Sequence, residues 1–336
     1  MRWTLKRRDF LAATVLAWPA SQSFLAQAAG RRQPLPYKLG IITDELSEDF
    51  AQALDFISAY ALPFCELREL WNKNIMNLSQ EELTRAQQII RQHGLRVSDI
   101  ASPLFKYNLP EMPAREEKRD TFRANFTDQD TEDLLRRAFT LARFFGTKQV
   151  RIFSYWRLDE PARAYPHVRD RLARAAALAA KSGIVLALEN EPACNIGTGK
   201  ELGRLLRDIN SPYLRGTWDP GNSVMLGEVP YPDGYREVRG LFSHMHFKDV
   251  KKDPQTGKLS WAPVGAGVID YRGQLAALRQ DNYQGTMALE THYLRADGNK
   301  LESTRESLQG LLKLLRESPS WQASLAFARE QGRRCR

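Results

Sequence analysis

The sequence predicts a single (β/α)8 TIM barrel, and three observations predict it. Short apolar runs alternate with helical patterns through residues 37–316, giving eight strand-then-helix units in about 290 residues. The turn after the first run, Thr43-Asp44-Glu45, is not the glycine-rich phosphate turn of a doubly wound sheet. Polar, metal-type side chains stand at the ends of four successive runs, on the face where barrel active sites lie.

The elements follow in order. Tyr37–Thr43 reads as strand one, and Ser47–Tyr60 as a helix with Ser47 as its N-cap. Phe64–Leu70 is strand two; Ser79–His93 is a helix ended by Gly94. Leu95–Ala101 is strand three. A polar excursion from Ser102 to about Phe126 precedes a helix over Asp128–Phe145, closed by Gly146. Gln149–Ser154 is strand four, and Ala164–Ser182 a helix closed by Gly183. Ile184–Asn190, Arg215–Asp219, Phe242–Lys248 and Gly285–Thr291 are strands five to eight. Helices are read at Lys200–Asp208, Tyr271–Arg279 and Ser303–Glu317.

Residues 1–28 stand apart from this pattern. Lys6-Arg7-Arg8-Asp9-Phe10-Leu11 is a twin-arginine pattern in a basic leader, followed by an apolar stretch from Phe10 to Trp18 and small residues at Leu25-Ala26-Gln27-Ala28. That stretch is shorter than the ~20 residues a membrane span needs. The expectation is export of the precursor by the twin-arginine machinery, cleavage near Ala28, no stable membrane anchor and a periplasmic protein. Residues 317–336 read as a basic tail.

Composition adds exclusions. The chain is 43% hydrophobic and 26% charged, an ordinary globular balance. Its net charge of +9 is concentrated in the leader and the tail, so the body lacks the dense basic stripe of a nucleic-acid binder. Cys65, Cys194 and Cys335 fit neither a disulfide framework nor a zinc motif; Cys65 reads as core and Cys335 as a tail thiol. A homo-oligomer is compatible with the sequence, which does not specify one.

The chemistry sits at the strand ends. Side chains alternate faces along a strand. In Leu186-Ala187-Leu188-Glu189, the leucines take the outer layer and Ala187 and Glu189 turn inward. Met245 and Phe247 leave His244, His246 and Lys248 on the inner face; Met287 and Leu289 leave Ala288 and Glu290 there. Glu189, Asp219, His246 and Glu290 thus form an O,O,N,O set of metal-ligand type, with His244 the nearest rival to His246. Adjacent carboxylates repel and call for a cation. The donor set suits Mn2+ first, with Mg2+, Co2+ or Zn2+ compatible.

Leu188-Glu189-Asn190, Asp219-Pro220-Gly221-Asn222, His244-Met245-His246-Phe247-Lys248-Asp249 and Gly285–Glu290 resemble the xylose-isomerase-like sugar phosphate isomerase/epimerase superfamily. Pro263–Tyr271 resembles its Gly-x-Gly-x-(Ile/Val)-Asp-Tyr stretch, with Gly-Ala-Gly where many members carry Gly-Glu-Gly. Cys65-Glu66-Leu67-Arg68 resembles its strand-two segment. The resemblance implies metal ligands at Glu189, Asp219, His246 and Glu290, with Glu189 and Glu290 as the acid/base pair that moves a proton next to a carbonyl.

Lys248, His244, Glu66, Arg68, Arg151 and His292 are candidate substrate contacts. Ion pairing is the competing account for Lys248, Glu66, Arg68 and Arg151. Trp71, Tyr155, Trp156 and Trp218 are aromatic planes near strand ends. The expected activity is isomerisation or epimerisation of a small carbohydrate. A lyase or dehydratase on a keto-sugar or 3-keto-glycoside shares its first step. A non-catalytic periplasmic sugar-binding protein is the third reading. A DNA-repair endonuclease on the same barrel would need more histidines than the five present.

Overall fold

The structure, a computed structural model, describes residues 37–114 and 119–317. Its eight principal strands are β1 (Lys38–Ile42), β2 (Phe64–Leu67), β3 (Arg96–Ala101), β4 (Gln149–Ile152), β5 (Val185–Glu189), β6 (Leu214–Trp218), β7 (Phe242–Phe247) and β8 (Thr286–Leu289). They pair in parallel and close into a barrel in the order β1-β8-β7-β6-β5-β4-β3-β2. The helices are α1 (Phe50–Ala59), α2 (Gln80–Gln92), α3 (Thr131–Phe145), α4 (Pro161–Ser182), α5 (Gly199–Ile209), α6 (Pro220–Met225), α7 (Tyr271–Gln280) and α8 (Lys300–Glu317). The twin-arginine segment, the cleavage site and the tail beyond Glu317 lie outside the described residues. No helix among the described residues is long and apolar enough to cross a membrane.

Strand alternation fixes which side chains reach the axis. Leu39, Ile41, Leu186, Leu188, Met245, Phe247, Met287 and Leu289 are fully buried in the apolar core, while the residues between them turn to the barrel interior. That interior is unusually polar. Ser243 Oγ donates to Gln149 Oε1 at 2.7 Å, Gln149 Nε2 donates to Asp99 Oδ2 at 3.0 Å, and the Arg151 amide donates to Asp99 Oδ1 at 2.9 Å.

Boundaries moved where local chemistry competes. Helix α1 starts after Asp49, not Ser47, because the Asp49 carboxylate accepts from the Ala51 and Gln52 amides; a separate turn, Thr43–Leu46, precedes it. Helix α2 keeps its predicted cap, with Ser79 and Glu82 forming a capping box. Helix α4 opens earlier, with Pro161 in its first turn. Phe64–Leu70 is not one strand. The ladder stops at Leu67, Arg68 breaks from it, and Glu69–Leu70 pairs back with Lys73–Asn74. Strand seven stops likewise at Phe247, and Asp249–Lys252 pairs with Leu259–Ala262 as a hairpin over the mouth.

Candidate metal centre and active site

Glu189 ends β5, His246 lies in β7, and Asp219 and Glu290 follow β6 and β8 directly. The four side chains are buried and bring one donor atom each to within 4.8 Å of all the others. His246 Nδ1 is the hub, 3.3 Å from Glu189 Oε1, 3.2 Å from Glu290 Oε2 and 3.7 Å from Asp219 Oδ2. Glu189 Oε2, Asp219 Oδ2 and Glu290 Oε2 accept no hydrogen bond. Arg151 NH1 lies 3.3 Å from the first, and Lys248 Nζ lies 2.9 Å and 2.5 Å from the other two. Those are ion-pair contacts without hydrogen-bond alignment. Asp219 Oδ2 and Glu290 Oε2, buried and left in this way, surround one imidazole nitrogen together with Glu189 Oε1, a grouping that fits a divalent cation.

The surrounding shell explains why the donors point as they do. Glu66 spends both oxygens on the two histidines: Oε2 lies 2.9 Å from His244 Nε2 and Oε1 3.3 Å from His246 Nε2. A proton on His246 Nε2 directed at Glu66 leaves Nδ1 as the ligand atom. Asn222 Nδ2 donates to Glu189 Oε1 at 3.2 Å, and Asn222 Oδ1 accepts from Lys248 Nζ at 3.3 Å. Asn190 clamps the Asp219 backbone through both its amide and its carbonyl, at 2.8 Å each. Gly221 leaves room for Lys248, since a Cβ there would lie 2.4 Å from Lys248 Cγ. The Leu-Glu-Asn and Asp-Pro-Gly-Asn motifs are therefore working parts of one cluster.

Two of the expected substrate contacts sit elsewhere. Glu66 and His244 are fully buried beneath the ligands. His244 has both ring nitrogens engaged, by Glu66 and by Thr286 Oγ1 at 2.7 Å; neither residue is exposed at the mouth. Arg68 is clamped by Asp44, Glu45 and Glu290. Lys248 is held between Asp219 and Glu290. His292 is at the rim, 3.4 Å from Glu290 Oε1 and edge-on to Trp261. Arg151 is buried, and none of its three side-chain nitrogens makes a hydrogen bond. Of the aromatic candidates, Trp218 and Tyr155 are fully buried core residues, and Trp71 packs on Phe50.

Electrostatics set the ligands apart from one another. Burial opposes charge on each. For Asp219 burial prevails over the attraction of Lys248, with repulsion from Glu189 and Glu290 added, and its carboxyl rises to about 6. Burial is outweighed for Glu189 by Arg151 and His246, which bring it to about 2. It is outweighed for Glu290 by Lys248 and His246, which hold it well below the usual range. His246 resists burial in the opposite sense: Glu66, Glu189 and Glu290 together favour its charged form.

A cleft of about 730 Å3 opens beside the centre, among Lys106, Arg157, Leu158, Glu191 and their neighbours. Glu189, Asp219, His246 and Glu290 do not line it. Phe122 belongs to the junction, with the Lys106 ammonium 3.5 Å from its ring centre and the Arg68 and Arg151 guanidinium carbons at 5.0 and 5.1 Å.

The sequence family described as xylose isomerase-like TIM barrel matches residues 54–315. No curated protein matches the chain. Solved structures do. A xylose isomerase-like TIM barrel protein from Mycobacterium smegmatis, in complex with magnesium, is 19% identical with a TM-score of 0.60, covering 84% of this chain and 98% of its own. The 3-keto-D-glucoside 4-epimerase YcjR of E. coli is 18% identical with a TM-score of 0.60, covering 83% and 98%. The probable 3-DHS dehydratase AsbF of Bacillus anthracis is 19% identical with a TM-score of 0.61, covering 79% and 97%. At these identities the likeness is one of fold.

Proposed function

Because the chain belongs to the xylose isomerase-like TIM-barrel family, we propose that it is a metal-dependent isomerase or epimerase of a sugar or sugar derivative. The observation that carries this reading is the convergence of three carboxylates on His246 Nδ1, two of them through oxygens that accept no hydrogen bond, Asp219 Oδ2 and Glu290 Oε2, with Glu189 and Glu290 at separate strand ends. Mn2+ is the proposed ion, held by Glu189, Asp219, His246 and Glu290; Mg2+ accompanies a solved relative of the same fold. When bound, the cation would polarise the substrate's carbonyl or hydroxyl oxygen.

The chain's own groups do the rest. Glu290 Oε1 is tied to Arg68 at 2.9 Å and Glu189 Oε1 to Asn222 at 3.2 Å. Glu290 therefore presents Oε2 to the centre, while Glu189 turns Oε1 to His246 and Oε2 to Arg151. One takes the proton from the carbon next to the carbonyl, and the other returns a proton from the opposite side. Arg151, with buried nitrogens that lack hydrogen-bond acceptors, is the proposed donor to a substrate oxygen. We further propose that the precursor is exported by the twin-arginine machinery to the periplasm, where a free sugar, sugar acid or 3-keto-glycoside is a more available substrate than a phosphosugar. Nucleic acid has no part in this reading.

A lyase or dehydratase is the second reading. It begins with the same proton abstraction, and a dehydratase is among the structural neighbours. The test is proton NMR in D2O with Mn2+ and a panel of free sugars, keto-sugars and 3-keto-glycosides. Metal-dependent deuterium uptake beside the carbonyl is expected, falling roughly 100- to 10,000-fold in Glu290→Gln. An epimer as product supports the first reading and an eliminated enone the second. No exchange across the panel, with metal bound and the protein folded, overturns both in favour of a binding protein or of a substrate outside the sugars.

A further inference from the structure

Two groups of metal-type donors share Glu290. The first is the centre described above. The second is Glu45, Glu290 and His292, whose donor atoms also lie within 4.8 Å of one another. The two differ in what their oxygens touch. In the first, two of the three inward oxygens, Asp219 Oδ2 and Glu290 Oε2, accept no hydrogen bond. In the second the carboxylate oxygens are taken by one side chain: Arg68 NH2 lies 2.5 Å from Glu45 Oε1 and Arg68 NH1 2.9 Å from Glu290 Oε1. Arg68 Nε and NH2 also donate to Asp44 Oδ2 at 2.9 and 2.6 Å. His292 Nε2 stands by, 3.4 Å from Glu290 Oε1 and 3.9 Å from Glu45 Oε1.

We infer that Arg68 is the resident cation of this second position and fixes the metal content of the barrel mouth at one ion. The inference rests on the metal-dependent reading of the first position. Three carboxylates meeting one buried guanidinium carry a surplus of negative charge that a divalent ion would satisfy equally well. The guanidinium satisfies it permanently, because it does not lose its proton and cannot be chelated. It is locked by the break after β2 that turns Arg68 out of the ladder and by the Phe122 ring 5.0 Å from its central carbon. It also pins Glu290 Oε1, so that Glu290 turns only Oε2 to the first position. Without the guanidinium, Glu45, Glu290 and His292 form an O,O,N set of the kind that binds Mn2+ or Zn2+. Arg68 is thus a positioning residue that sets metal stoichiometry.

The test is Mn2+ content, by elemental analysis after desalting, together with the Mn2+ electron paramagnetic resonance spectrum. Wild type is expected to saturate at one ion, Arg68→Ala at two, and Arg68→Ala with Glu45→Gln again at one. Two ions bridged by Glu290 are expected to broaden the signal of an isolated ion. Should Arg68→Ala not fold, Arg68→Gln keeps a hydrogen-bond donor for Asp44 without the charge and carries the same expectation. A folded Arg68 variant holding one ion, or a wild type holding two, overturns the inference and leaves the proposed function standing. A wild type holding none overturns the proposed function and this inference with it.

Discussion

Glu66 shows how one side chain can organise a site it does not enter. Both of its oxygens face imidazole nitrogens, at 2.9 Å on His244 and 3.3 Å on His246. Burial disfavours its charge, yet His246 and His244 outweigh burial and hold it below the usual carboxylate range. With the proposed cation bound, a fixed carboxylate behind the ring would keep the proton on Nε2 and leave Nδ1 to the cation. Glu66→Gln offers an acceptor to only one histidine. The expected outcome is a folded protein whose Mn2+ affinity falls about 10- to 100-fold, the usual cost of losing a partner behind a ligand; a metal titration with an unchanged dissociation constant would refute the assignment. In the sequence, Glu66 stood out as a charge inside a strand. Its direction was not legible there, because β2 and β7 are joined across the barrel interior and not in sequence.

At the scale of an element, the segment after β7 is held by several hydrogen bonds to its own backbone. Asp249 accepts from the amides of Val250, Gly265 and Gly267 at 2.9, 2.9 and 3.0 Å. Tyr271 donates to the Lys248 carbonyl at 2.5 Å. The Gly-Ala-Gly stretch is therefore a loop wound around one carboxylate, and it fixes the backbone from which Lys248 reaches Asp219 and Glu290. A Cβ on Gly267 would lie 2.0 Å from Asp249 Oδ1 and 2.5 Å from the Val250 carbonyl. Gly267→Ala is expected to cost about 2 kcal/mol or more, by the loss of buried hydrogen bonds and backbone displacement. Ala266→Glu, at an exposed neighbour, is expected to stay within roughly 0.5 kcal/mol of wild type. Denaturant unfolding of the pair checks both, and equal effects would contradict this account. The motif was visible in the sequence; the carboxylate it wraps was not, because that pairing spans a hairpin the sequence did not announce.

For the molecule as a whole, a polar barrel interior has a pH signature. Asp99 is buried beneath the centre. Burial, with repulsion from Glu66, raises its carboxyl to about 6 against the pull of His244 and Arg151. The unfolded chain releases this proton near 3.9. Between those values the folded state holds more protons than the unfolded one. Stability therefore falls as pH rises from about 4 to 6, and the penalty is complete above that. Asp99→Asn removes the penalty while the side-chain oxygen still accepts from the Arg151 amide, and Gln149 can turn its own amide to match. The expected gain is about 1–2 kcal/mol at pH 8, shrinking towards zero at pH 4, read from thermal unfolding at the two pH values. The same gain at both would show that Asp99 does not titrate as described.

The sequence by itself determined the barrel and singled out four metal-ligand-type side chains at strand ends, which the structure brings together. These depend on local rules: alternation along a strand, caps and breaks at helix ends, and the outward preference of leucine and methionine beside an inward glutamate or histidine. The acid/base roles proposed for Glu189 and Glu290 come from family resemblance. The tertiary structure alone decided which charges meet. Arg68 turned to Asp44, Glu45 and Glu290, Glu66 to two histidines, Asn222 to Glu189, and Asp249 to a glycine loop. These contacts join different strands, strand ends or loops in and around the barrel, and closure of the ring is what brings residues up to 222 positions apart into hydrogen-bond range.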